Sequence, residues 1–157
     1  MIGSNKKVSE SFCMEALKNA DNERGKPTDR ERNRIFGLST IRQRVLISNL
    51  CSSDNVNFLE IGVYKGSTLI SAMFDNPTIK AVGVDHYLYD DRESPKWAPE
   101  GFIWDNMKSQ LEANLNMYRY EKDRLDVKNL TMIEKSFEKV DWSKQPKFDV
   151  VHFDVAP

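Results

Sequence analysis

The chain has 157 residues, 39% hydrophobic and 30% charged, which suits one packed domain with a solvated surface and is too short for two of ordinary size. Against 24 Asp and Glu, 23 Lys and Arg leave a net charge of −1, so no global field draws the chain to nucleic acid or to an anionic membrane. No apolar run approaches a membrane span, the N-terminus MIGSNKKVSE lacks a signal peptide's apolar stretch, and Cys13 and Cys51 stand apart without a CxxC or Cys/His cluster. A cytoplasmic protein with reduced packing thiols is expected.

In chain order, VSESFCMEALKNA places Phe12, Met14, Ala16 and Leu17 at mixed helical spacing and predicts a short amphipathic helix. The charged stretch DNERGKPTDRERNR reads as a loop leading to a capping box at Thr28-x-x-Glu31, its arginines being either a solvated face or a phosphate or partner site. A second capping box, Thr40-x-x-Gln43, opens IRQRVLISNL, where Ile41, Val45, Leu46 and Leu50 form one apolar stripe for packing on a sheet. Residues 1–38 thus form an N-terminal helical and loop extension, and residues 39–157 the main body.

VNFLEI is the first buried strand, STLISAMF a helix pairing Leu69 with Met73 and Ile70 with Phe74, and KAVGVD the second strand. Strand, helix and strand within about thirty residues make the minimum unit of a parallel sheet. The segment HYLYDDRESPKWAPEG is longer than a normal connection, a candidate lid, pocket wall or plain insertion. Tyr87, Tyr89, Trp97 and Trp104 would wall a substrate pocket or close a small core. Residues 102–119 read as a helix carrying Met107, Leu111, Leu115 and Tyr118, NLTMIEK as a third strand, SFEKVDWSK as a turn or two of helix, and FDVVHFDV as a fourth strand. The expected fold class is α/β, a Rossmann-like three-layer sandwich with a mainly parallel sheet in the order 3-2-1-4.

In such sheets ligands bind beyond the carboxyl ends of the strands, where the winding reverses. Glu60, Gly62 and Gly66 end the first strand, Asp85 the second, Lys135 to Phe137 the third and Asp154 the fourth. Glycines at 62 and 66 permit a tight turn and close approach of a ligand to backbone, and the helix starting near Ser67 aims free N–H groups at an anion such as a carboxylate. Asp85 follows Gly66 by 19 residues, near the spacing at which an acid accepts the two hydroxyls of a ribose. A nucleoside-bearing cofactor is implied. Tyr64 stands where a dinucleotide loop has its second close glycine, and Lys65 precedes Gly66 rather than following it, which disfavours a pyrophosphate cradle and a P-loop.

At these residues the chain resembles the class I S-adenosylmethionine-dependent methyltransferases. LEIGVYKGSTL is similar to their first motif in its small-molecule O-methyltransferase variant, GVDHY to their second, and FDVVHFDVAP to their fourth; the likeness runs from about residue 40 to the last. The resemblance implies S-adenosylmethionine as cofactor. Gly62, Val63, Tyr64, Gly66 and Ser67 would lie by its methionine portion, with Glu60 supporting their loop. Asp85 and His86 would lie by the ribose, Ser136 and Phe137 by the adenine, and Asp154 at the end of the fourth strand. The family's sheet has seven strands, and this chain ends after its fourth, so the C-terminal strands are missing and the fourth becomes an exposed edge. Self-association through that edge, or a longer reading frame, is the expectation.

In the family an electrophilic methyl is held in line with a nucleophile, sometimes helped by a base or a divalent metal. Asp154 and His86 are the candidate catalytic groups, His152 is expected to face a helix, and no second or third metal ligand forms a motif, so no metal is assigned. DVAP departs from the Asn/Asp-Pro-Pro-Tyr/Phe of the nucleic-acid amino-methylating enzymes, which leaves a small-molecule acceptor as the expected substrate. The competing expectations are a non-catalytic module that binds S-adenosylmethionine or S-adenosylhomocysteine and works through oligomerisation, and a nicotinamide-binding oxidoreductase, which Tyr64 argues against.

Overall fold

The computed structural model describes residues 8–25, 35, 37–87, 107–122 and 124–155. The Thr28 capping box, Tyr89, Trp97, Trp104 and residues 102–106 of the expected helix lie outside them. Four helices and four strands are present among the described residues: α1 Glu10–Asp21, α2 Ile41–Leu50, β1 Asn57–Ile61, α3 Ser67–Met73, β2 Lys80–Asp85, α4 Met107–Lys122, β3 Leu130–Glu134 and β4 Val150–Phe153. The strands form one all-parallel sheet in the order β3-β2-β1-β4, as the sequence leads one to expect.

Parallel strands buried on both faces need apolar residues at successive positions, and FLEI in β1 and AVGVD in β2 are buried throughout. One face meets the helices through Phe58, Ala81 and Val150, which join Ile47, Leu69, Ile70, Met73, Leu111 and Tyr118 in the larger apolar cluster. The other carries Leu59, Ile61, Val82 and Val84. Its cover is thinner, consisting of Val140, Phe137 and Phe148 from the β3–β4 connection, where Phe137–Lys139 and Trp142–Lys144 are single 3-10 turns.

Helix α2 starts at the anticipated capping box, with Thr40 N–H donating to Gln43 Oε1 at 2.8 Å and Gln43 N–H to Thr40 Oγ1 at 3.2 Å. Its buried face differs from the expected stripe: Arg44, Val45, Ile47 and Ser48 are buried, whereas Ile41, Leu46 and Leu50 are only partly covered. The reason is that α2 lies between α1 and α3 and not simply on the sheet. Arg44 is tolerated inside because Nη1 donates to Ile35 O, Nη2 to Gly37 O and Nε to Ser39 Oγ. In α1, whose main neighbour among the described elements is α2, the buried residues are Ala16 and Ala20, and Met14 points to solvent. Enclosed by α2, α4 and the sheet, α3 is buried at every residue, which accounts for its apolar and small side chains.

Helix α4 turns Met107, Leu111 and Tyr118 inward with Leu115 partly buried, the stripe anticipated from sequence. Its far end is fastened to the end of α3 by Arg124, whose Nε donates to Asp75 Oδ1 at 2.6 Å and whose guanidinium lies 4.1 Å from the Phe74 ring centroid. A cavity of about 610 Å³ opens beside this clamp, lined by Asp75, Asn76, Arg119, Arg124, Asp126 and Lys128. It sits at the amino ends of β2 and β3, the opposite end of the sheet from the glycine loop.

Candidate functional site at the strand ends

The winding of the sheet reverses between β1 and β4, so the carboxyl end of β1 is the switch point at which α/β sheets bind ligands. There the backbone departs from ordinary geometry. Gly62 and Gly66 have φ of 87° and 82°, as the sequence suggests, but Tyr64 between them also has a positive φ of 52°, and Tyr87 after β2 one of 49°. Bulky residues rarely adopt such angles, which cost about 1–3 kcal/mol and persist where the surroundings impose them.

Asp85 imposes them. Its Oδ2 accepts the N–H groups of Val63 and Tyr64, each at 2.9 Å, and its Oδ1 accepts the Tyr87 N–H at 3.0 Å. The carboxylate is 4% exposed, and it ties the loop after β1 to the chain after β2. A second restraint comes from α4, where Asn114 Nδ2 donates to Lys65 O at 2.9 Å.

Both glycines also have a packing reason. A Cβ on Gly62 would stand 2.0 Å from the carbonyl oxygen of Asp154, and one on Gly66 would stand 2.3 Å from Leu111 Cδ1. The space freed by the missing side chains is therefore taken by the chain leaving β4 and by α4.

Below the loop, Glu60 is fully buried between Thr68 of α3 and His152 of β4. Thr68 Oγ1 donates to Glu60 Oε1, and His152 Nδ1 lies 3.0 Å from the same oxygen. The pairing follows from the ladder, because His152 stands directly beside Glu60 in the β1–β4 register. His152 thus lies on the helical side of the sheet, but its partner there is a strand residue. Burial pushes the Glu60 carboxyl above its usual range against the opposing pull of His152 and Thr68, while Glu60 pushes the His152 imidazole up. Glu60 Oε2 has no hydrogen-bond partner among the described residues. Burial also raises the Cys51 thiol, with Glu60 adding to the effect, so Cys51 is an inert core thiol.

Ser67 opens α3 with Gly66 in the left-handed region at its N-cap, and Ser67 Oγ lies 2.8 Å from Ser39 Oγ. Ser136 precedes the 3-10 turn after β3, and Phe137 turns away from the loop to pack edge-on against Phe153 on the other face of the sheet. His86 is partly exposed just after β2. Among the described residues no group of three His, Cys, Asp or Glu is placed to hold a metal ion, and no helix is long and apolar enough to cross a membrane.

Thr68 and His152 were not singled out as partners of Glu60 from sequence. Thr68 was legible in principle, being eight residues on in the first turn of the following helix. His152 was not, because 92 residues separate it from Glu60 and only the strand order makes them neighbours. Comparison of the chain with protein-family models, with curated proteins and with solved structures found no match.

Proposed function

We propose that the chain is the S-adenosylmethionine-binding domain of a methyltransferase acting on a small molecule. One observation carries this reading: the strained loop from Gly62 to Gly66 stands at the switch point of the sheet, held by the acid that ends the neighbouring strand. The donor set suits a ligand with an amino-acid end and a nucleoside end. Glu60 Oε2 is a buried acceptor in need of a donor, and the backbone of residues 62–66 supplies polar groups close to it in sequence. Beyond the three N–H groups that it accepts, Asp85 retains about one lone pair, on Oδ1, for a hydroxyl.

The bound cofactor would supply an electrophilic methyl group. Residues 62–66, Glu60 and Asp85 would orient it, and Asp154 and His86 would flank the acceptor side. Cytoplasmic residence belongs to the same reading, since Cys13 and Cys51 are free thiols of the kind a reducing compartment maintains.

The experiment is a thermal-shift comparison of S-adenosylhomocysteine with NAD, repeated on Tyr64→Gly. A ligand that binds only the folded state raises its midpoint. S-adenosylhomocysteine alone is expected to do so. Glycine relieves the positive φ at residue 64, so the variant should keep its fold while losing most of the shift. A shift with NAD alone, or with neither compound, overturns the reading. Binding without methyl transfer to any small acceptor favours the non-catalytic alternative, in which the module works through association.

A further inference from the structure

Ahead of α2, residues 37–39 are drawn onto the start of α3. Arg44, itself buried, donates from Nη1 to Ile35 O at 3.0 Å, from Nη2 to Gly37 O at 3.2 Å and from Nε to Ser39 Oγ at 2.9 Å. Gly37 comes so close that a Cβ there would stand 2.2 Å from Ser67 Oγ, and Ser39 Oγ lies 2.8 Å from the same oxygen. Ser67 follows Gly66, so these residues stand beside the end of the glycine loop. With 28 residues between Ser39 and Ser67, only the packing of α2 on α3 brings them together.

The hydrogens at this contact do not balance. Each hydroxyl carries one hydrogen, and only one of the two fits between the oxygens. Arg44 Nε is a donor, so it takes a lone pair of Ser39 and no hydrogen. Whichever serine donates to the other, one O–H hydrogen is left over, and neither side chain has a further acceptor among the described residues. One residue on, Thr68 donates to Glu60 Oε1 while Glu60 Oε2 lacks a donor. The first turn of α3 thus borders a donor without an acceptor and an acceptor without a donor. An α-amino acid is the complement of that pair, since its carboxylate accepts and its ammonium donates.

We propose that Ser39 and Ser67 receive the carboxylate of the ligand's amino-acid end, with Arg44 behind Ser39 supplying the opposite charge. Such an end belongs to the function proposed above, on which this carboxylate site rests. The guanidinium does not touch the ligand. Its Nε–H donates to Ser39 Oγ, and a hydroxyl that accepts a hydrogen bond from a cation becomes a stronger donor of its own. Helix α3 has seven residues and carries little dipole, so the charge falls to Arg44 rather than to the helix end. Gly37 has a part as well: its missing side chain lets residues 37–39 approach Ser67 closely enough for the two hydroxyls to converge.

Titration calorimetry of the 157-residue chain tests this with two ligands, S-adenosylhomocysteine and its decarboxylated analogue, which keeps the amine and lacks the carboxylate. Ser39→Ala should weaken S-adenosylhomocysteine about 10- to 100-fold, the worth of a hydrogen bond to a charged group, and leave the analogue within about twofold. Ser39→Thr keeps the hydroxyl and should recover most of the affinity. A structural role for Ser39 would instead weaken both ligands alike. Should Ser39→Ala fail to fold because Arg44 loses an acceptor, Ser67→Ala carries the same comparison with the same expected selectivity. Equal losses for the two ligands, or no loss for either, overturn the carboxylate site while leaving the proposed cofactor in place. A wild-type chain that does not bind S-adenosylhomocysteine overturns the cofactor and this site with it.

Discussion

Asp85 holds Tyr64 in the left-handed region: the carboxylate accepts the Tyr64 N–H at 2.9 Å while the tyrosine keeps a φ of 52°. The same side chain accepts from Val63 and Tyr87, so a single buried acid organises the loops after two adjacent strands. Asp85→Ala leaves three N–H groups without their acceptor and should cost about 2–4 kcal/mol of stability. Asp85→Asn should recover only part of this, because its amide N–H₂ cannot accept from a backbone N–H. Urea unfolding of the three proteins measures both effects. Loss of ligand by Asp85→Ala is thus no proof of a ribose contact unless the fold is shown to survive.

Gly62 and Gly66 should respond differently to alanine. At Gly62 the new methyl meets the backbone carbonyl of Asp154, which is held in turn by the Asp154 N–H donating to Ile61 O at 2.9 Å. At Gly66 it meets the end of the Leu111 side chain, which can change rotamer. With the positive-φ penalty common to both, Gly62→Ala should cost about 3–4 kcal/mol and Gly66→Ala about 1–2 kcal/mol. Equal losses in urea midpoint would show that the chain after β4 is not packed on the loop.

Glu60 and His152 make stability depend on pH. Both groups have folded-state affinities for protons above their ordinary values of 4.5 and 6.5, so the folded chain holds more protons than the unfolded one in the windows that open at those values. Where the folded state binds more protons, stability falls as pH rises. The Glu60 contribution is therefore present below pH 4.5 and is lost as pH rises through its folded value; that of His152 is present below 6.5 and is lost above its own. The two share one contact and titrate as a pair. Unfolding midpoints should decline as pH rises above 4.5 and further above 6.5, and Glu60→Gln should flatten the decline, which chemical denaturation from mildly acidic to neutral pH reads directly.

Arg124 joins the ends of α3 and α4 by a bidentate pair with Asp75 and by stacking on Phe74. Lysine can supply the charge but neither the fork nor the flat face. With both side chains of the pair partly solvated, Arg124→Lys should cost only about 1 kcal/mol. Hydrogen exchange offers a sharper readout, because the Asp75 N–H donates to Arg124 O and should lose protection ahead of the strands.

Much of this was legible locally. The Thr40–Gln43 box, the buried runs of β1 and β2, and the Met107, Leu111, Tyr118 stripe are patterns within a few residues, set by capping, pleat and helical period, and the structure follows them. Departures occur where an element has more than one neighbour. The period of α2 permits several apolar faces, and enclosure between two helices selects the one with Arg44 and Ile47. Met14 shares the mixed helical spacing of Phe12, Ala16 and Leu17 and ends in solvent, because the face that α1 turns to α2 buries Ala16 and Ala20 instead.

By itself the sequence determined that a positive-φ loop follows the first strand and that an acid ends the second, since glycine spacing and strand length are local properties. Only the tertiary structure decided what those groups touch. The parallel order β3-β2-β1-β4 brings Glu60 beside His152 from 92 residues away, lays Asp154 against Gly62, and turns Asp85 inward to hold two tyrosines. Register and strand order arise from the summed packing of the whole sheet, and no single segment carries that information.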